Sequence, residues 1–346
     1  MNVDPSSTTA VVRLAAWGMG AARVSAIRSG HINETFLVES GAERYVLQRL
    51  SPIFGPELHI DIEAITAHLQ AAGLATPRLV PDLGGRLFVE ANDGVWRLLT
   101  HIEGETVLAA DSPDRCERAG ELLGRFHRAL WDCEHEFRHR RLGVHDTRRH
   151  LEKLRALLQG ATTHRCFSAV EPVGRAILET AEGLVLPEGV TLRVVHGDPK
   201  ISNVIFGPGG EARALVDLDT LARMPIAVEL GDALRSWCSP QGEEVEGPID
   251  LDFCAAALRG YSAAIGDLPT PAERVAIPRT VEVIAVELAA RFCADALEER
   301  YFGWDAARFA SAADHNLVRA RAQLALARSI RSSLPRLAAL VDELWG

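Results

Sequence analysis

A short segment in the middle of the sequence contains the residue types that phosphoryl transfer requires. His196 precedes Asp198 by two positions, Lys200 follows two positions after it, and Asn203 lies five positions after it; Asp217 adds a second carboxylate. Transfer of a phosphoryl group needs a carboxylate to orient and deprotonate a hydroxyl, a cation near the transferred phosphate and oxygen ligands for a divalent metal. The segment predicts Asp198 and Lys200 as catalytic residues and Asn203 and Asp217 as ligands of Mg²⁺.

The elements around these residues are predicted to bring them together. The order His-x-Asp-x-x-x-x-Asn is that of the protein-kinase catalytic loop. A short buried strand at 194–195 would end at this loop, and a β-hairpin of 204–206 and 212–216 would return Asp217 to it. Asp217 and Asp219 are expected on one face of the strand, because side chains repeat every second residue. The alternative is that Asp198 and Asn203 cap a turn and that Asp217 and Asp219 are surface acids. It does not explain why the five residues His196, Asp198, Lys200, Asn203 and Asp217 follow the order of a kinase catalytic loop.

Composition limits the classes of function. The chain has 346 residues, 47% of them hydrophobic, and a net charge of −10. Such a balance is typical of a globular protein, and the acidic charge argues against a nucleic-acid binder. Six scattered cysteines indicate reduced, mostly buried thiols. The polar first residues and the lack of a long apolar run predict a cytoplasmic protein with no membrane partner.

The N-terminal part of the chain carries the strand signals. Alternating and β-branched segments predict an antiparallel sheet, and one segment of helical periodicity predicts a single helix. The predicted elements are two strands within 26–38 joined by a turn at 30–33, a strand at 44–50, a helix at 56–73, and a hairpin of 86–90 and 95–102. Residues 1–101 are therefore predicted to form a nucleotide-binding lobe.

Residues 102–346 are predicted to form a larger, mainly helical lobe after an interlobe hinge at 102–106. Ser112 and Pro113 mark a helix start, because proline is tolerated in the first turn, and Gly120 and Gly124 are expected to permit close helix packing. Further helices are predicted at 150–158, 168–182, 251–265, 273–296 and 315–344. The fold class is α+β, a two-lobed protein-kinase-like fold.

This plan resembles the aminoglycoside phosphotransferase and choline kinase group of kinase-like folds. Several segments are most similar to its N-acetylhexosamine 1-kinase branch, which phosphorylates a sugar at its anomeric hydroxyl. The segments are 30–35, 45–50, 145–147, 217–220, 230–235, and Arg291-Phe292 with Asp295, Tyr301 and Phe302. The resemblance extends from about residue 25 to 330.

The resemblance implies roles for residues of this sequence. Asp198 resembles the catalytic base, Asn203 and Asp217 the Mg²⁺ ligands, Lys200 the lysine that steadies the transferred phosphate, and Asp232 an acid that supports the catalytic loop. The implied nucleotide-binding residues are Gly30, His31, Asn33, Gln48, Thr100, His101 and Ile102. The implied substrate-binding residues are Asp198, Arg291, Asp295 and Tyr301. Arg291 and Asp295 also have the spacing of an ordinary helical salt bridge.

One position departs from the pattern of kinase-like folds. These folds place a lysine on the third strand, where it contacts the α- and β-phosphates; here Gln48 stands at that position and Arg49 points to the opposite face. Two interpretations of the phosphate contact stay open at this point. Either the amide of Gln48 contacts the phosphates, or a cation from another position does. A third is that Gln48 is an ordinary residue of the lobe.

Residues 135–139 match the His-Glu-x-x-His motif of zinc hydrolases, with His145 as a possible third ligand. The extended motif requires glycine where Leu142 stands, and the neighbouring arginines would repel a divalent cation. A solvated, charged segment is the favoured interpretation.

The sequence thus predicts an ATP- and Mg²⁺-dependent phosphotransferase that acts on a sugar hydroxyl, as a monomer or homodimer. The first alternative is a kinase of the same fold for an aminoglycoside, choline or another small alcohol. Alternatives of other classes are a zinc metallohydrolase and a catalytically silent nucleotide-binding protein.

Overall fold

The computed structural model describes residues 5–27, 33–139 and 144–346. It contains two compact units, Met1–Glu103 with Asp132–Arg140, and Gly104–Trp131 with Arg141–Gly346. The division into a nucleotide-binding and a catalytic lobe after residue 101 stays a prediction.

The first unit is built on a five-stranded antiparallel sheet in the order β1-β2-β3-β5-β4. Its strands are β1 (Arg23–Ile27), β2 (Glu34–Ser40), β3 (Glu43–Arg49), β4 (Val89–Ala91) and β5 (Gly94–Thr100). Its helices are α1 (Pro5–Leu14) and α2 (Leu58–Ala71). The predicted sheet is confirmed, but the unit has a second helix because α1 forms in a stretch that was expected to be merely polar.

One face of this sheet forms a hydrophobic core. Alternate side chains of three strands, Phe36 and Val38, Leu47, Trp96 and Leu98, pack with Leu14 of α1 and with Trp17. Because side chains alternate across a strand, the intervening residues of these strands lie on the other face.

The second unit is mainly helical in its described residues. Its helices are α3 (Pro113–Ala129), α4 (Thr147–Gly160), α5 (Phe167–Thr180), α6 (Ile226–Trp237), α7 (Leu251–Ile265), α8 (Pro271–Glu298) and α9 (Ala312–Trp345). Its short strands pair as β6 (Arg193–Val195) with β9 (Ala222–Met224) and β7 (Val204–Phe206) with β8 (Ala212–Leu215). The predicted helices are present; α6 is an addition. Among the described helices, none combines the length and hydropathy of a membrane-spanning segment.

Glycines bring α3 and α7 into close contact. A Cβ atom added to Gly120 would lie 2.1 Å from the carbonyl oxygen of Ala257, and one added to Gly260 would lie 2.0 Å from that of Glu117. Gly124 is similarly tight, with Tyr261 O at 2.7 Å from its added Cβ. The expected close packing at Gly120 and Gly124 is confirmed.

The hairpin that returns the chain to the catalytic loop ends earlier than expected. Val204 pairs with Leu215 across β7 and β8, and β8 stops at Leu215. Asp217 takes a left-handed conformation (φ 64°), and Asp219 lies in the 3₁₀ turn that follows. The prediction that these two acids share a strand face is wrong, because the backbone turns between them.

Candidate active site

The turn after β6 depends on a glycine at position 197. Gly197 has φ +84°, and a Cβ atom there would lie 2.1 Å from the carbonyl oxygen of Thr220. A side chain would therefore be excluded by both conformation and space. The turn directs the chain from the buried strand into the loop that carries Asp198.

His196 fixes this loop through both nitrogens of its ring. Nδ1 accepts a hydrogen bond from the backbone N–H of Asp198 at 3.3 Å, and Nε2 donates to the carbonyl oxygen of Val216 at 2.9 Å. One nitrogen accepting and the other donating requires the neutral ring. Burial lowers the pKa of His196, which keeps the ring neutral.

The predicted catalytic residues lie together. Lys200 Nζ donates to Asp198 Oδ2 at 2.8 Å, and Asn203 Nδ2 donates to the carbonyl oxygen of Asp198 at 2.9 Å and to Oδ2 at 3.3 Å. Burial raises the pKa of Asp198, but the charge and hydrogen bond of Lys200 lower it more, so this pKa lies below its ordinary value. The carboxylate is therefore ionised at neutral pH.

Asp217 is linked to the Asp198, Lys200 and Asn203 cluster by a backbone hydrogen bond of its neighbour Val216 and by its charge, which acts on Lys200. Val216 donates its N–H to the carbonyl oxygen of Asn203 at 2.9 Å, which anchors the residue next to Asp217. Burial lowers the pKa of Lys200, but the charges of Asp198 and Asp217 raise it above its ordinary value. A left-handed non-glycine residue is strained, and such strain often occurs at functional sites.

These residues fit a magnesium site. The amide nitrogen of Asn203 donates to Asp198, so its amide oxygen is the atom suited to a cation, and Asp217 adds carboxylate oxygens. Mg²⁺ prefers oxygen ligands and usually takes few from the protein, with the rest from phosphates and water.

Helix α6 anchors the loop at three points. Glu229 accepts the backbone N–H groups of His196, at 2.8 Å, and of Gly197, at 3.0 Å. Ser236 Oγ accepts the N–H of Ile201 at 3.1 Å. Trp237 Nε1 donates to the carbonyl oxygen of Pro199 at 2.7 Å.

Glu229 has the loop-supporting role that the sequence assigned to Asp232. Glu229 is 1% exposed and also bonds His127 Nε2 at 2.8 Å, while His127 Nδ1 bonds the hydroxyl of Tyr261 at 2.9 Å. Asp232 instead accepts a hydrogen bond from Arg235 Nε at 2.9 Å. The two acids lie one helical turn apart, so their spacing alone could not distinguish them.

A polar cluster in the same unit acts electrostatically on Asp198 and Lys200. Arg235 donates to Asp232 and, through Nη1, to Glu243 Oε1 at 2.8 Å. The charge of Arg235 contributes to lowering the pKa of Asp198, and that of Glu243 contributes to raising the pKa of Lys200. The cluster is therefore electrostatically coupled to both predicted catalytic residues.

The predicted substrate residues of α8 and the turn after it divide into two groups. Arg291 Nη2 lies 3.5 Å from the hydroxyl of Tyr301, and its guanidinium lies 5.8 Å from that ring's centre. Asp295 holds the turn, since its oxygens accept the backbone N–H groups of Tyr301 and Phe302, both at 2.9 Å, and the side chain of Asn316. The salt bridge expected between Arg291 and Asp295 does not form among the described residues. A substrate role for these residues stays a prediction.

The predicted nucleotide-binding residues belong to the first unit. Gly30 and His31 lie outside the described residues. Asn33 Oδ1 accepts the N–H of Ser51 at 2.8 Å, Thr100 Oγ1 accepts the N–H of Arg78 at 2.9 Å, and His101 and Ile102 follow the end of β5. Gln48 lies on β3 and accepts hydrogen bonds from Arg97 Nε, at 2.9 Å, and Nη2, at 2.7 Å.

Comparison with protein families identifies the group to which the chain belongs. Residues 23–265 match the profile of the phosphotransferase enzyme family, APH. The chain belongs to the APH phosphotransferase family. The matched range contains every residue of the catalytic loop and the hairpin after it.

A curated relative and solved structures agree with this assignment. Homoserine kinase of Methylobacterium radiotolerans is 28% identical over 196 residues, which span 57% of each chain, little more than half of either. A microcompartment-associated aminopropanol kinase is 16% identical (TM-score 0.64), with 94% of this chain and 98% of that chain covered. Amicoumacin kinase hAmiN, solved with AMP-PNP, Ca²⁺ and Ami, is 13% identical (TM-score 0.62), with 93% of each chain covered. Choline kinase of Cryptosporidium parvum is 11% identical (TM-score 0.58), with 98% and 99% covered.

These comparisons confirm the predicted protein-kinase-like fold and the resemblance to aminoglycoside phosphotransferases and choline kinases. The N-acetylhexosamine 1-kinase branch stays a prediction.

The His-Glu-x-x-His match of this APH-family chain has another structural explanation. Residues 135–139 are not helical, so the two histidines are not presented one helical turn apart. His135 Nε2 bonds Asp61 Oδ1 at 2.7 Å, and the backbone N–H of His139 donates to Asp61 Oδ2 at 2.8 Å. Across the described ranges, no group of three His, Cys, Asp or Glu residues would hold a metal ion. The segment is thus tied to α2 by a buried aspartate.

Proposed function

We propose that this chain transfers the γ-phosphoryl group of ATP to a hydroxyl group of a small molecule. The observation that carries the proposal is the cluster of Asp198, Lys200 and Asn203, joined by hydrogen bonds of 2.8 to 3.3 Å. Family membership and the kinase-like fold support it.

Asp198 is the proposed general base. Its lowered pKa keeps it ionised, so it can orient the attacking hydroxyl and accept its proton. Lys200, a cation at neutral pH, would offset negative charge that develops on the transferred group. Preorganised charges of this kind stabilise a transition state without reorganisation at the moment of reaction.

Asn203 and Asp217 are the proposed holders of Mg²⁺. When bound, the metal would neutralise phosphate charge and orient the phosphoryl group. The backbone bonds of Val216 to Asn203 and His196 fix the position of Asp217 beforehand. Asn33, Gln48, Thr100, His101 and Ile102, with Gly30 and His31, remain the proposed nucleotide-binding set.

The proposed acceptor is a neutral, hydroxyl-rich molecule such as a sugar, at its anomeric hydroxyl. Two acids that follow the catalytic loop in the sequence, Asp232 and Glu243, bond Arg235, and Glu287 on α8 bonds His145 at 3.0 Å. Because Asp232 and Glu243 share Arg235, their group keeps one negative charge, which is less than the acidic cluster that an aminoglycoside would require. Arg291 and Tyr301 would add donors for hydroxyl groups.

A second candidate acceptor is an amino alcohol of the homoserine type. The similarity to a homoserine kinase favours it.

A panel of acceptors, read by ADP release, tests the proposal. It contains N-acetylglucosamine, N-acetylgalactosamine, glucose, galactose, homoserine, choline and an aminoglycoside. We expect turnover with a sugar; turnover with homoserine alone would select the second candidate. ATP binding without ADP release on any acceptor would instead favour a silent nucleotide-binding protein. A cytoplasmic location and a monomeric or homodimeric state remain predictions.

A further inference from the structure

A buried tyrosine, histidine and glutamate form a chain of hydrogen bonds across three helices of the second unit. The hydroxyl of Tyr261, on α7, lies 2.9 Å from Nδ1 of His127, on α3. Nε2 of His127 lies 2.8 Å from Oε2 of Glu229, on α6. The three residues are at most 1% exposed, so water does not compete for these bonds. We call this chain of Tyr261, His127 and Glu229 the relay.

The donors and acceptors of the relay have a consistent arrangement. The carboxylate of Glu229 can only accept hydrogen bonds, so Nε2 of His127 donates to it. Burial raises the pKa of Tyr261 well above its ordinary value, so the phenol keeps its proton. Among the described residues, Nδ1 of His127 is the hydrogen-bond partner of this hydroxyl, which therefore donates to it. In this arrangement, each donor of the relay has an acceptor.

The relay ends at the backbone of the catalytic loop. Oε1 of Glu229 accepts the N–H groups of His196, at 2.8 Å, and of Gly197, at 3.0 Å. These two residues immediately precede Asp198, the proposed general base. Because His127 holds Oε2, the carboxylate is oriented with Oε1 towards both backbone groups. Successive hydrogen bonds therefore connect the hydroxyl of Tyr261 with the backbone next to the base.

The close contact of α3 and α7 brings the tyrosine within reach of the histidine. A Cβ atom added to Gly124 would lie 2.7 Å from the backbone carbonyl oxygen of Tyr261 itself. The rings of His127 and Tyr261 pack edge to face, with their centres 5.7 Å apart and an angle of 82° between their planes. The glycine thus permits the backbone distance at which the tyrosine hydroxyl contacts Nδ1 of the histidine.

We propose that Tyr261 is a positioning residue for phosphoryl transfer, acting through His127 and Glu229 on the backbone that carries Asp198. This inference rests on the proposed function. Without the hydroxyl, Nδ1 of His127 would be a buried acceptor that lacks a donor, which is unfavourable. The ring orientation that directs Nε2 to Glu229 would lose a stabilising bond. The carboxylate would then be less well aligned with the backbone of the catalytic loop.

The Tyr261→Phe substitution tests the relay, because it removes one oxygen atom and keeps the buried ring. We expect kcat to fall by about threefold to tenfold, which corresponds to the loss of one hydrogen bond. The KM values for ATP and for the acceptor should stay unchanged, since the relay is not proposed to bind either. The amide proton resonances of His196 and Gly197, followed by NMR with labelled histidine and glycine, should shift.

Two further variants separate an action through the relay from a loss of stability. Ile265→Val is the matched control, because Ile265 is also a buried residue of α7. It should lower the melting temperature without changing kcat or the two amide resonances. His127→Phe should lower kcat, and Tyr261→Phe should lower it no further in that background, because the tyrosine acts through the histidine.

Unchanged amide resonances of His196 and Gly197 in folded Tyr261→Phe would overturn the assignment, as would a kcat equal to that of the unsubstituted protein. Additive losses of kcat in the double variant would contradict an action through His127. If the unsubstituted protein transfers phosphate and one of these results occurs, the role of Tyr261 fails alone. If the unsubstituted protein transfers phosphate to no acceptor, the proposed function fails, and the NMR comparison still decides whether Tyr261 positions the loop.

Discussion

Individual residues of the catalytic loop have interdependent protonation states. Neutral His196 holds the backbone at Asp198 and Val216, and Lys200 lowers the pKa of the carboxylate it contacts. The types and spacing of these residues were predictable, because the chemistry restricts both to a short stretch of chain. The left-handed conformation of Asp217 was not, because it depends on hydrogen bonds between segments that are distant in sequence.

Lys200→Met should change the pH dependence of turnover. The positive charge of Lys200 lowers the pKa of Asp198, so the base stays ionised below the ordinary range for a carboxyl group. Without that charge the pKa rises, and the acidic limb of the kcat/KM profile should move to higher pH, in addition to a lower plateau. Lys153→Met is the control, since Lys153 pairs with Glu298 elsewhere. An unchanged acidic limb would show that Lys200 does not act on the base.

The hydrogen bond between Gln48 and Arg97 shows what could not be predicted from the sequence. The position of Gln48 on the third strand was predictable from the strand pattern. Its partner was not, because β3 pairs with β5 across 49 residues and an intervening helix.

At the scale of elements, α6 determines where the catalytic loop lies. It contributes Glu229, Ser236 and Trp237 as anchors, yet it was absent from the predicted helices. Its buried positions include charged residues, Glu229, Asp232 and Arg235, which obscure the usual division into polar and apolar faces. Helix α7 was predicted with the bounds that the structure shows, Leu251–Ile265.

Glu229→Gln should weaken both stability and activity. The carboxylate of Glu229 accepts hydrogen bonds from the backbone N–H groups of His196 and Gly197 and also bonds His127. A glutamine amide has only one accepting oxygen, so one of these buried groups would lose its hydrogen-bond partner. We expect the free energy of unfolding to fall by about 1–3 kcal/mol and kcat to fall with it. Denaturant titration and steady-state kinetics measure the two effects.

Glu282→Gln provides the control for this variant. Glu282 is also fully buried and paired, with Arg279 at 2.7 Å, and its substitution should reduce stability without lowering kcat. If Glu229→Gln behaved in the same way, the helix would not position the catalytic loop.

The contact between α3 and α7 gives a second prediction for elements. Gly260→Ala places a Cβ atom 2.0 Å from the carbonyl oxygen of Glu117, so the helices must separate. We expect a loss of about 1–3 kcal/mol, measured by thermal unfolding. Gly160→Ala is the control, because an added Cβ there meets no atom within 4 Å. Equal melting temperatures for the two variants would contradict the close packing.

At the scale of the whole molecule, the fold class and the family that the sequence predicted are confirmed, while the sugar acceptor stays a prediction. The strand and helix patterns determine an antiparallel sheet followed by a helical unit, which the comparisons confirm. The proposed acceptor contacts, such as Arg291 on α8 and Tyr301 in the turn after it, depend on how separate segments pack. Their combination is not readable from local spacing.

The metal requirement of the activity distinguishes a Mg²⁺-dependent phosphotransferase from a zinc metallohydrolase. Removal of divalent cations with EDTA should abolish phosphate transfer, and added Mg²⁺ should restore it, because the proposed ligands are oxygens. His135→Ala should reduce stability through loss of its bond to Asp61, yet retain Mg²⁺-dependent transfer. Restoration by zinc alone, with activity lost in His135→Ala, would support the hydrolase instead.

The most direct test of the account compares the unsubstituted protein with Asp198→Asn. Phosphate transfer from ATP to the acceptor panel is followed by mass spectrometry of the acceptors, with circular dichroism as the check on folding. We expect the unsubstituted protein to add one phosphate to a small-molecule hydroxyl, and the folded variant to lose turnover by about 10²- to 10⁴-fold. Transfer at the unsubstituted rate by folded Asp198→Asn would contradict the account.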